Sequence, residues 1–192
     1  MKSSLIALLI LLATASFASA DIIGWNCNAD GDGAITMNNI AWNDATYEMS
    51  ANGNLHWWPA HLVGDFTTDT ELDPTVWVRN TVLNDGEVPP LSWTDFHLNI
   101  YMNKTFTIGG TATLPDWTVS NVTQPSFNGT QWIGTVDYLG GTPINVGDWG
   151  EFDVQLSFLG SIAYTIEMIP TPEPATLLLA GLGLFLVRRT KQ

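Results

Sequence analysis

The sequence is short of positive charge, short of cysteine and without a long apolar run. Six cations stand among 192 residues, and four of them, Lys2, Arg188, Arg189 and Lys191, lie at the two ends. Residues 21–169 keep only Arg79 and Lys104 against eighteen acids, a formal charge of -16. Such a surface repels polyanions, which excludes nucleic acid and an anionic membrane face as partners of this region. Cys27 is the one cysteine. No internal disulfide can therefore staple the fold, and a buried thiol is expected. No apolar stretch reaches the ~20 residues a spanning helix needs. Gly-x-Ser-x-Gly, His-Glu-x-x-His and a phosphate loop are all missing, which removes the best-marked hydrolase, zinc-protease and nucleotide chemistries. No stretch keeps a 3.6-residue apolar period for four turns, so a helical body is not expected either.

What is present falls into three parts. Residues 1–20 read as a secretory signal peptide. Lys2 supplies the positive start, Leu5 to Ala13 the short apolar run, and Ala18-Ser19-Ala20 a small-x-small cleavage site. Signal peptidase of the Sec route would then leave a mature chain beginning at Asp21. The other end has its own fixed order. Pro172-Glu173-Pro174 is stiff and extended and cannot open a helix before its last proline. Ala175 to Val187 is leucine-rich, and Arg188, Arg189 and Lys191 follow it. Read as a helix, this segment rises about 20 Å against a hydrocarbon core of about 30 Å. It could hold only by thinning the bilayer or by snorkelling of its arginines. The basic tip places the tail in the cytoplasm and the domain outside.

This order, Pro-Glu-Pro, then a leucine-glycine helix, then Arg-Arg, resembles the PEP-CTERM sorting signal of gram-negative bacteria. The resemblance covers residues 170–192 only. It implies recognition by an exosortase, a membrane-embedded, transpeptidase-like cysteine enzyme. Pro172, Glu173 and Pro174 would be the recognition motif, and Arg188 and Arg189 the retention tail. The helix would be a transient membrane anchor, removed or exchanged near the tripeptide. Delivery would be to the cell surface or the exopolysaccharide matrix. None of this describes the domain carried in front.

That domain, residues 21–169, reads as strands. Phe152-Asp-Val-Gln-Leu-Ser-Phe158 alternates strictly and puts four apolar side chains on one face. Ile162 to Met168 does the same, and 93–102 alternates before becoming denser. Gly160-Ser161 between the first two is a hairpin signal. Further strands are expected at 34–40, 45–51, 61–67, 75–83, 105–113, 117–122 and 131–138. Breakers lie at Asn52-Gly53, Asp73-Pro74, Pro89-Pro90, Pro115-Asp116, Asn128-Gly129, Gly140-Gly141 and Gly147-Asp148. The sum predicts an all-β chain, an antiparallel β-sandwich of jelly-roll or immunoglobulin-like type. A partly open barrel is the runner-up.

Four constellations bear on chemistry. Asn28, Asp30 and Asp32, with Gly33 and Ile35 behind them, follow the spacing of an EF-hand-type loop. The twelfth position is the neutral Asn39 where a bidentate acid belongs. The pattern therefore reads first as an Asp-Gly turn and second as a loose Ca²⁺ site. His56 and His61 are five residues apart and would point to opposite faces of a strand, with Pro59 barring a helix, so they do not read as a metal pair. Nine tryptophans are many. Most should fill the core, with Trp57 and Trp58 the exceptions, since adjacent strand residues face opposite ways and an exposed indole can stack on a sugar ring. Asp69, Glu71 and Asp73 could present paired carboxylates as a glycosidase does, but so acidic a chain produces such pairs by chance. The expectation is a non-enzymatic exported domain without a cofactor beyond that loose Ca²⁺. A carbohydrate-binding module facing exopolysaccharide is the alternative, and a secreted glycosidase comes third.

Overall fold

The computed structural model describes residues 20–86 and 91–172. The hydrophobic start with Ala18, the Pro89-Pro90 loop, Glu173, Pro174, the apolar 175–187 segment and Arg188 and Arg189 lie outside the described residues. The described chain forms eleven strands. They are β1 (Ile22–Ala29), β2 (Ile35–Asn43), β3 (Glu48–Leu55), β4 (Ala60–Thr68), β5 (Thr75–Asn84) and β6 (Trp93–Met102), then β7 (Phe106–Thr113), β8 (Thr118–Phe127), β9 (Trp132–Ile144), β10 (Trp149–Phe158) and β11 (Ile162–Pro172). Among the described residues no helix is long and apolar enough to cross a membrane.

The strands make two sheets packed face to face, six in the order β1-β4-β11-β6-β9-β8 and five in the order β2-β3-β5-β10-β7. The chain is an all-β sandwich. Its ladders are antiparallel except one, the parallel β3–β5 pair. Alternation explains the layering. On β10, Phe152, Val154, Leu156 and Phe158 are buried, and on β11 so are Ile162, Tyr164, Ile166 and Met168. Side chains of period two put one face of each strand into the shared core and the other toward water. At the centre Phe152 stacks on Phe96, ring centroids 3.7 Å apart and 5° from parallel, with Tyr138 and Trp117 edge-on to it. Cys27 lies in this core, and burial pushes its thiol above the ordinary value.

Several local signals resolve differently in three dimensions. Gly160, at φ +60°, does turn the chain. Yet β10 and β11 belong to opposite sheets, so the turn arches across the sandwich instead of closing a hairpin. Both strands bury an apolar face, and facing each other across the core satisfies both. Asn52-Gly53 does not break the chain but lies inside β3, where a Cβ on Gly53 would meet Thr36 O at 2.9 Å. Gly140-Gly141 likewise lies inside β9. There the Trp117 indole covers Gly140 and a Cβ would meet it at 2.8 Å. These glycines admit a neighbour at close range instead of turning the chain.

The strands run from end to end of the sandwich, and the connections sort accordingly. Residues 30–34, 56–59, 114–117 and 145–148 join strands at one end, where β5 also ends, β6 begins and β11 finishes. Asp21 lies at the other end. Its backbone N–H donates to Asp69 Oδ1 (2.9 Å), and its carboxylate accepts from Tyr47 (2.6 Å). At the first end Asn84, nearly fully buried, donates its amide to Leu91 O (2.9 Å) and Ile144 O (3.0 Å), tying three segments together.

Candidate functional site

The end where β11 finishes gathers the polar chemistry. Past Ala29 the β1–β4 ladder is extended by Asp30 N–H donating to His61 O at 3.3 Å, which sets Asp30 beside His61. His61 Nδ1 lies 3.0 Å from Asp30 Oδ2 and its Nε2 lies 3.4 Å from Glu167 Oε1. The loop braces itself: Asp30 Oδ1 accepts from Asp32 N–H (3.1 Å) and Asp32 Oδ1 from Ala34 N–H (2.7 Å). Asp30, Asp32 and His61 can each offer a ligand atom, all within 4.8 Å of one another. Glu167 is held from behind by Asn99 Nδ2 (2.6 Å) and the Tyr101 hydroxyl (2.9 Å).

The electrostatics follow from these contacts. Burial works to raise the Glu167 pKa, but the hydrogen bonds from Asn99, Tyr101 and His61 outweigh it and hold the carboxyl below its ordinary range. Burial, then the bond to Glu167, push Tyr101 up to about 12. Slight desolvation opposes ionisation of Asp30, while Asp32 and His61 more than offset it and lower its pKa.

The EF-hand-type set is not assembled as such. Asn28 lies on β1 and donates to Asn26 Oδ1 (2.6 Å), and Asn39 pairs with Asn52 along the β2–β3 ladder. Asn39 is four residues beyond Ile35, roughly 13 Å up the strand, and does not reach the loop. The structure instead brings in His61, which spacing along the chain discounted. Only the β1–β4 register carries that information.

Two further histidine arrangements were not visible in sequence. His56 forms an ion pair through Nδ1 with Asp85, and its Nε2 lies 2.8 Å from Thr36 Oγ1. The order hydroxyl, imidazole, carboxylate is that of an activated nucleophile. The nearby amides are spent, however: His56 N–H and Trp57 N–H both donate to Ala34 O. They supply no pair of donors for an oxyanion. His97 bridges Asp137 Oδ1 (2.8 Å) and Thr171 Oγ1 (3.1 Å), and so clasps the final strand. The acids at 69, 71 and 73 lie at the opposite end. Asp69 accepts from Asp21 and Glu71 pairs with Lys104 at 3.6 Å.

The neighbouring tryptophans part ways. Trp57 is 39% exposed, over Gly33, while Trp58 packs against the core. Trp149 is similarly exposed, at 42%; no period or motif in the sequence marked it. Trp93 and Trp117 are buried.

At the same end β11 finishes. Pro170 pairs with Phe96, Thr171 with Asp95 and Pro172 with Trp93. The family model of the PEP-CTERM protein-sorting motif matches residues 170–192. The chain carries a PEP-CTERM sorting signal. Its first three positions are therefore the last three of β11, beyond the 169 boundary expected from sequence. A comparison with curated proteins finds no match. Among solved structures, TmCBM61 in complex with beta-1,4-galactotriose is similar over 80% of this chain and 91% of that one, with 12% identity and a TM-score of 0.28.

Proposed function

We infer that this is an exported, non-enzymatic protein of a bacterial surface or exopolysaccharide matrix, with a β-sandwich as its mature body. The observation that carries the reading is the PEP-CTERM signal continuing directly from β11. In this account signal peptidase cuts after Ala20 in a gram-negative cell using the Sec route. The 175–187 segment holds the precursor briefly in the inner membrane, with Arg188 and Arg189 on the cytoplasmic side. Exosortase then acts at Pro172-Glu173-Pro174. The strong acidity keeps the released body soluble among anionic polysaccharides. The test is Glu173→Ala in the native host. The expected result is an uncleaved, membrane-bound form, and release equal to wild type refutes the assignment.

A second reading rests on Trp57. An outward indole is a platform for a sugar ring, so the body would be a carbohydrate-binding module. Trp58 cannot serve in this way because its ring packs inward. Trp57→Ala should abolish retention on the organism's own exopolysaccharide while leaving the thermal midpoint nearly unchanged. Undiminished retention removes this reading.

A further inference from the structure

We propose that Asp30, Asp32 and His61 form a binding site for one divalent transition-metal ion of the zinc class. Acid-rich surfaces are common, and what distinguishes this cluster is its histidine. Asn99 and Tyr101 hold Glu167, and Glu167 Oε1 lies 3.4 Å from His61 Nε2, so a carboxylate stands behind the ring while Nδ1 faces Asp30 Oδ2 at 3.0 Å. A metal ion bound there takes the place of the proton that the Nδ1–Asp30 contact otherwise carries. Carboxylate behind, imidazole between and metal in front is the usual support of a ligating histidine.

The donor set chooses the ion. One oxygen of each aspartate is engaged by a backbone N–H of the loop, which steadies the carboxylate and leaves it a second oxygen. One imidazole nitrogen with two carboxylates suits Zn²⁺ and its neighbours, whereas Ca²⁺ takes six to eight oxygens. At metal–ligand bonds of about 2.0 Å, tetrahedral ligands stand about 3.3 Å apart. The three donor atoms lie within 4.8 Å already. Side chains on an exposed loop can close the remainder by small rotations. Three protein ligands leave a fourth position for water or for a donor from outside, such as a polysaccharide carboxylate. The site lies at the end of the sandwich where β11 finishes, and its existence is independent of how the sorting signal is used.

The full chain in detergent, stripped with EDTA, is titrated with ZnCl₂ by calorimetry, with and without millimolar Ca²⁺. One saturable equivalent that survives Ca²⁺ is expected. Asp32→Asn and His61→Ala should each weaken it at least tenfold, and Glu167→Gln by about tenfold through the lost orientation of the ring. Asp116→Asn, an acid at the same end outside the cluster, should leave it unchanged. Co²⁺ added to the wild-type chain should give visible bands and shift the ¹⁵N resonance of His61 Nδ1, a readout that needs no variant to fold. Weak binding of many equivalents, indifferent to His61→Ala, would mean diffuse attraction to the acidic surface and overturn the site. Displacement by Ca²⁺ would overturn the class of ion. An unmoved Nδ1 resonance would mean that a proton alone bridges His61 and Asp30.

Discussion

Phe152→Ala should remove about 4 kcal/mol of stability. The ring is fully buried and lies at the meeting of both sheets, stacked on Phe96 with Tyr138 and Trp117 around it. Truncating a buried Phe costs roughly 3–5 kcal/mol through lost transfer energy and the cavity left behind. Collapse does not relieve the cost, because the neighbours come from β6, β9 and the 114–117 connection and cannot all move inward. For a body of this size each kcal/mol shifts the thermal midpoint by about 2–4 °C, so a fall of roughly 8–16 °C is expected. Urea unfolding followed by tryptophan fluorescence measures the loss directly, with the slope m unchanged if only the native state is affected. A cycle of Phe96→Leu and Phe152→Leu should show coupling of about 0.5–1.5 kcal/mol from the stacked pair. A loss below about 1.5 kcal/mol for Phe152→Ala would refute the placement of this ring at the centre of the core.

Two other outcomes follow from the same structure. Gly64→Ala should cost about 3 kcal/mol by overpacking, because a Cβ there would overlap Asn26 O and sit 2.6 Å from the Tyr164 hydroxyl; Gly24→Ala, whose nearest neighbour is Thr67 Cβ at 3.4 Å, should change the urea midpoint little. Glu167 has a lowered folded pKa, so its contribution is present above its unfolded value of 4.5 and is lost as pH falls through the lower folded value; thermal midpoints measured from pH 6 to 3 should fall less steeply for Glu167→Gln than for the wild type.

The strands that alternate were legible because each carries its own instruction. Phe152 to Phe158 and Ile162 to Met168 state which side chains go inward, and the structure buries those side chains. Partnership was not legible, since no residue in either strand says whether its neighbour lies beside it or across the core. Gly160 turns the chain equally well in both cases. β1 was passed over because its sequence, Ile-Ile-Gly-Trp-Asn-Cys-Asn-Ala, does not alternate, and much of it stays half-exposed at the sheet edge. Asn52-Gly53 and Gly140-Gly141 look like turns locally, but neighbouring backbone and the Trp117 ring require glycine inside a strand. The polar end shows the same limit. Asp30 and Asp32 announce themselves by spacing, whereas His61 joins them through a ladder spanning thirty-one residues. Trp57 and Trp58 are adjacent in sequence, and only the path of the 56–59 connection decides which ring faces water.

The position of β11 in the six-stranded sheet has a consequence for the order of events during export. This last strand lies between β4 and β6. Until it arrives, those two strands flank an empty slot about 10 Å wide, twice the ordinary inter-strand spacing. A nascent chain lacking residues 162–172 cannot close the layer, however long it waits. The body thus completes itself only when its last strand, which carries the first three residues of the sorting signal, has been delivered.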